Sequence, residues 1–177
     1  MQADRREPAD ELLRAQAEHW PEAAGPIAQL MVRVYRLSSL VQDNATRQVA
    51  LHGLSFTEFE VLVALRNAPP PHERLPTELY TSILISSGGL TKVLYGLQRR
   101  GMIARGQDRQ DRRSKPTRLT AKGRAMAERA MADVLRSDAQ LILGGLSPRE
   151  VERLTALLRK LLITLEPAAI DAGHGTE

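Results

Sequence analysis

The chain has 177 residues, no cysteine, 3% aromatic residues and a formal net charge of +4. The lack of cysteine excludes a disulfide scaffold, thiol catalysis and a Cys-ligated zinc site, and no apolar run approaches the ~18–20 residues of a membrane-spanning helix. Charged residues fill the first dozen positions, where a signal peptide needs an apolar stretch, so the expectation is a cytoplasmic protein with one aliphatic-cored domain, alone or with a helical extension.

Residues 1–9 are polar. A short helix is expected from Asp10, as its cap, to about His19, with Leu12, Leu13, Ala17 and Trp20 apolar; Pro21 and Gly25-Pro26 break it. A long helix to about Leu51 follows. Its Ile27, Leu30, Met31, Val34, Leu37 and Val41 recur at spacings of three and four on one face, and Gly53 closes it. The next helix opens at Ser55 or Thr57, each with a glutamate three residues on (Glu58, Glu60), and turns Val61, Leu62 and Leu65 inward. The run from Ala68 to Arg74 holds three consecutive prolines and reads as a loop, and Pro76 starts a short helix through about Thr81.

Ser86 caps a helix to Arg100 that Gly101 terminates. Met102 to Arg105 and Pro116 to Leu119 read as two short strands around a polar, charged loop. Thr120 caps a long helix to about Leu143. Ser147-Pro148-Arg149-Glu150 starts the last one, lined by Val151, Leu154, Leu157, Leu158, Leu161, Leu162 and Leu165. The fold class is mainly α, a winged helix-turn-helix with long terminal dimerisation helices and a two-stranded wing. The expected organisation is an N-terminal extension at 1–24, a dimerisation helix at 25–53, the winged helix-turn-helix lobe at 54–120, C-terminal dimerisation helices at 121–166 and a flexible tail at 167–177. The outer helices are too leucine-lined for so small a domain, which suggests a two-fold homodimer; the alternatives are that the last helix packs on its own domain or recruits another protein.

Charge singles out the middle of the chain. Arg99 to Arg118 holds eight basic and two acidic residues, a net of +6, so the remainder of the chain sums to −2. Localised positive charge beside a helix is how a protein meets a polyanion such as DNA. On the preceding helix Leu90, Val93, Leu94 and Leu97 form the inner stripe. The opposite face carries Gly88, Lys92, Tyr95 and Arg99, with Thr91 on its flank. The small residues Ser86, Ser87 and Gly88 let a backbone approach at the helix N-terminus, whose free amides favour phosphate. Lys92 can donate to guanine, and Thr91 or Tyr95 can touch base edges. Arg109, Arg112 and Arg113 at the hairpin tip suit a narrow minor groove.

These residues resemble the MarR family of bacterial transcription regulators. The resemblance rests on Pro76-Thr77-Glu78-Leu79, Ser86-Ser87-Gly88-Gly89-Leu90-Thr91-Lys92, Arg100-Gly101-Met102-Ile103, Asp108-Arg109-Gln110-Asp111-Arg112-Arg113 and Arg118-Leu119-Thr120-Ala121-Lys122-Gly123. Gln110 stands where the family's wing usually has an arginine. The resemblance implies a homodimer on a pseudo-palindromic operator, with a ligand pocket between the dimer helices and the DNA-binding lobe. The added N-terminal helix with Trp20 resembles the family's urate-responsive branch, whose pocket uses a Trp, an Asp and two Arg. Trp20 and Arg105 match two of these, Glu60 replaces the Asp, and Val93 replaces the second Arg. The implied effector is a small aromatic or phenolic anion other than urate, paired with Arg105 and stacked on Trp20. Plainer roles remain open: Trp20 plugging a helix junction, Glu60 completing a capping box, Arg105 contacting phosphate.

An enzyme is not expected, because His19, His52, His72 and His174 are scattered and Gly88-Gly89 lacks the context of a phosphate loop. No metal or other cofactor is implied. The competing reading of the same charge is a ligand-independent or architectural DNA binder without sequence preference.

Overall fold

A computed structural model describes residues 7–83, 87–106 and 115–172, with backbone alone at 87–88 and 167–172. It divides into two compact units, Met1–Val134 and Leu135–Glu177. In chain order the elements are α1 (Ala9–His19), a 3-10 turn (Pro21–Ala23), α2 (Pro26–Ala50), α3 (Phe56–Asn67), β1 (Glu73–Arg74), α4 (Pro76–Ser82), α5 (Ser87–Arg99), β2 (Ile103–Arg105), β3 (Thr117–Leu119), α6 (Ala121–Leu143) and α7 (Pro148–Ala172). None of the described helices is long and apolar enough to cross a membrane.

Local chemistry sets most boundaries. Ser55 caps α3 through a reciprocal box: its hydroxyl accepts from the Glu58 amide at 3.2 Å and Glu58 Oε2 accepts from the Ser55 amide at 2.9 Å. Ser147 and Glu150 repeat the device at α7. Thr120 caps α6 by accepting from the Gly123 amide at 3.1 Å. Gly53 (φ 65°) and Gly101 (φ 69°) end α2 and α5 in the left-handed conformation that glycine adopts without strain. At Gly101 the pair Gly101 N–H to Gln98 (2.9 Å) and Met102 N–H to Leu97 (3.0 Å) completes the motif.

Three expectations change. Pro8, not Asp10, holds the N-cap position of α1. Asp10 lies in the first turn and accepts from Arg33 of α2 at 2.6 Å. Arg36 also reaches the Glu7 carbonyl, so the extension is fastened to α2 by polar contacts and buries Leu13. The proline-rich loop ends in a strand: β1 pairs with β3, making a three-stranded antiparallel sheet of order β1-β3-β2 beneath the expected two-stranded wing. Two residues are too few to show a period of two in sequence. The last helix continues to Ala172 instead of stopping at Leu165, through a stretch rich in alanine.

Burial divides α2 in two. The α2 stripe is exposed along its first half: Ile27, Leu30, Met31 and Leu37 all face solvent, and only Asn44, Ala45 and Val49 near its end are buried. The core lies lower, among Val49 of α2, Phe59, Val61, Leu62 and Leu65 of α3, Leu79 of α4, Leu90, Leu94 and Leu97 of α5, the sheet, and Ala127, Ala130 and Val134 of α6. Gly123 lets α6 start against the sheet, because a Cβ there would collide with the Met102 carbonyl.

Candidate nucleic-acid interface

The core dictates which face of α5 is free. Leu90, Leu94 and Leu97 are 4%, 3% and 0% exposed, and Val93 packs on the core edge. Helical spacing then turns Thr91, Lys92, Tyr95 and Arg99 outward, and all four are exposed. Tyr95 is 61% exposed, with the Arg99 guanidinium 5.8 Å from its ring centroid. That cation–π contact stiffens two side chains that otherwise lose entropy on binding. Ser87 and Gly88 open α5 as expected, with only their backbone described; Ser86 lies outside the described residues. Arg109, Arg112 and Arg113, with the rest of the wing tip at 107–114, also lie outside them.

The base of the wing is closed by the Gly106 amide donating to Pro116 O at 2.7 Å. Lys115 is exposed there. Two cations counted in the basic stretch are paired with carboxylates of the same chain. Arg118 donates to Glu73 at 3.1 Å across the β1–β3 pair. Arg100 forks onto Glu58 (3.1 Å to each carboxylate oxygen) and donates to Gly53 O at 2.9 Å. Both partners lie outside the 20-residue window in which charge was counted, so the charge that faces outward is smaller than +6.

Arg105, exposed at the end of β2, lines a cavity of about 440 Å³ with Pro76, Thr77, Tyr80 and Thr81 of α4 and Leu90, Thr91 and Leu94 of α5. Neither Trp20 nor Glu60 lines it. Trp20 ends α1 and is 64% exposed; Glu60 lies half-buried on α3, and burial pushes its carboxyl above the usual carboxylate range. The three residues expected to share a ligand are therefore not gathered around this cavity. Sequence reasoning missed Thr77, Tyr80 and Thr81 as its wall, although their spacing of three and four puts them on one side of α4 while Leu79 faces the core. On the same side of the sheet as Arg105, its register partner Thr117 is buried with a hydroxyl that finds no partner among the described residues, as does Arg74 Nε across from it. Among the described residues no cluster of His, Cys, Asp or Glu could hold a metal.

Comparison with known proteins gives a consistent picture. A model of the MarR family matches residues 52–114. The uncharacterized HTH-type transcriptional regulator YkoM of Bacillus subtilis is 33% identical over 134 residues, 75% of this chain and 84% of that protein. The HTH-type transcriptional repressor Rv2887 of Mycobacterium tuberculosis is 30% identical over 125 residues, 71% of this chain and 88% of that one. The crystal structure of Rv2887 in complex with p-aminosalicylic acid superimposes with a TM-score of 0.62 at 29% identity, covering 77% of this chain and 98% of that chain. Wild-type apo MarR from E. coli gives a TM-score of 0.67 at 25% identity, covering 78% and 98%.

Proposed function

Since the chain belongs to the MarR family of transcription regulators, we propose that it acts as a homodimeric, sequence-specific repressor whose hold on its operator is loosened by a small aromatic anion. The observation that carries the DNA-binding half is the outward Thr91-Lys92-Tyr95-Arg99 face of a helix whose opposite side is locked into the core. Two copies of α5, held roughly 34–36 Å apart by a two-fold dimer, enter successive major grooves. Lys92 and Thr91 read base edges, Arg99 and the N-terminal amides of α5 take phosphate, and Arg109, Arg112 and Arg113 reach the flanking minor groove. The exposed apolar faces of α2 and α7, including Leu157, Leu161 and Ile163, supply the surface for the second chain.

The ligand half rests on the cavity. Its walls are mainly apolar, and Arg105 can pair with a carboxylate or phenolate while Tyr80 packs on a ring. Salicylate-class compounds complexed with Rv2887 have this chemistry. Trp20 and Glu60 would enter such a site only through the dimer. Thr91 links the halves, because it lines the cavity and lies on the reading face. A ligand that moves α5 by about 1–2 Å needs only ~1–3 kcal/mol of coupling to change operator affinity 5- to 150-fold.

Selection of bound fragments from random DNA, followed by titration of the recovered operator with benzoate and salicylate, tests both halves. The expected result is operator binding at least roughly 10³-fold tighter than random DNA at physiological salt, weakened by one of the anions. No preference between the two DNAs would establish an architectural binder, and preference without any anion response a ligand-independent regulator.

A further inference from the structure

Adjacent arginines at the end of α5 do opposite things. Arg99 lies outward over Tyr95, whereas Arg100 turns in, giving one terminal nitrogen to both oxygens of Glu58 at 3.1 Å and the other to the Gly53 carbonyl at 2.9 Å. Glu58 is well covered, its side chain 16% exposed, and it is fixed from its other side by the Ser55 amide at 2.9 Å. The acceptor carbonyl belongs to Gly53, the left-handed residue that ends α2. The main chain at the same end is held as well: the Arg100 carbonyl accepts from Lys122 Nζ at 2.8 Å, and the Gly101 carbonyl from the Thr120 hydroxyl at 2.8 Å. The C-terminal end of α5 is thus bolted to the α2–α3 corner on one side and to the start of α6 on the other. Its N-terminal half, through Leu90 and Thr91, borders the open cavity.

We propose that Arg100 is a positioning residue for sequence recognition: its fork onto Glu58 and Gly53 sets the rotation and depth of the α5 reading face and makes no contact with DNA phosphate. The inference rests on the DNA-reading role of α5 proposed above. A planar guanidinium held at three acceptors fixes orientation in a way a lysine ammonium cannot. Rotating α5 about its axis by part of a residue step moves Lys92 and Thr91 off their base edges, while the mobile reach of lysine and arginine to phosphates tolerates it. Loss of the clasp therefore degrades discrimination before it degrades affinity for duplex DNA in general.

The test measures binding to the selected operator and to random duplex over a salt series for wild type, Arg100→Gln, Arg100→Lys, Glu58→Gln and Arg100→Gln/Glu58→Gln, with thermal unfolding of each. Wild-type binding is scored first, so failure of the DNA-binding reading shows before any variant is compared. Arg100→Gln and Glu58→Gln are each expected to lower the operator-to-random ratio about tenfold, the scale of a charge-assisted hydrogen bond. Random-duplex affinity and salt slope should stay unchanged, and the double variant should be no worse than either single one. Arg100→Lys, which keeps the charge without the fork, should lose discrimination too, and it serves if Arg100→Gln fails to fold. Equal losses on both DNAs with a slope shallower by about 0.9 would make Arg100 a phosphate contact and overturn the proposal. A lower melting temperature with the ratio unchanged would overturn it in favour of a purely structural role.

Discussion

The α3–α5 region and the outer helices carry similar leucine stripes, yet they dispose of them differently. Leu62, Leu65 and Leu97 are completely buried within the chain. Leu157 and Leu161 of α7 stand 65% and 46% exposed on stripes of the same helical period. Periodicity shows that a helix has an apolar side; it does not show whether that side is covered by the same chain or by another. What separates the two regions is their surroundings. The lobe has short helices and a sheet arriving from several directions, while α7 is a 25-residue rod.

Truncations on the two stripes should therefore diverge, and this is the largest effect expected. Leu97→Ala should cost ~2–5 kcal/mol by lost transfer and an unfilled cavity, read as a drop in thermal midpoint at every protein concentration. Leu157→Ala should cost far less at high dilution. The contrast fails if the two midpoints fall together in dilute protein, since α7 would then be covered by its own chain.

The next effect sharpens the contrast from the other side. Leu158→Glu with Leu161→Glu should leave the helical signal of the chain intact and abolish its self-association in sedimentation, with operator affinity falling because two half-sites are no longer gripped together. If the doubly substituted chain still sediments as a dimer, the α7 face is not the surface that joins the copies.

How far the sequence reached follows the same division. Ser55, Thr120, Ser147 and the glycines at 53 and 101 act within three to five residues of themselves, so their helix ends were readable one by one. The outward set on α5 was readable because a helix with three buried leucines has only one free side. Glu58 was legible as half of a capping box, but its second partner, Arg100, is 42 positions away and no local pattern announces it. The cavity escaped for the same reason, because its walls come from α4, α5 and β2 and only the fold brings them together. The apolar stripes of α2 and α7 were legible as faces, but their spacing is indifferent to who covers them.

A smaller effect probes the sheet beneath the wing. Arg118→Ala removes the 3.1 Å pair with Glu73, whose two side chains are 53% and 32% exposed. Exposed pairs contribute about 0–1 kcal/mol, so the melting temperature should barely move, and DNA affinity should stay within about twofold if Arg118 is occupied by Glu73 and not by phosphate. A loss that grows at low salt would return Arg118 to the DNA-facing charge.

The smallest effect concerns Glu60, a half-buried carboxylate on α3 that burial shifts above its ordinary value of 4.5. The folded state thus binds the proton more tightly than the unfolded chain does. Stability attributable to this group is present below 4.5 and declines as pH rises through the elevated folded value. Glu60→Gln should accordingly unfold at a slightly higher temperature than wild type at pH 7, by less than about 1 kcal/mol because the side chain is only half-buried, and the two curves should merge near pH 4. The opposite sign at pH 7 would mean that a cation faces Glu60.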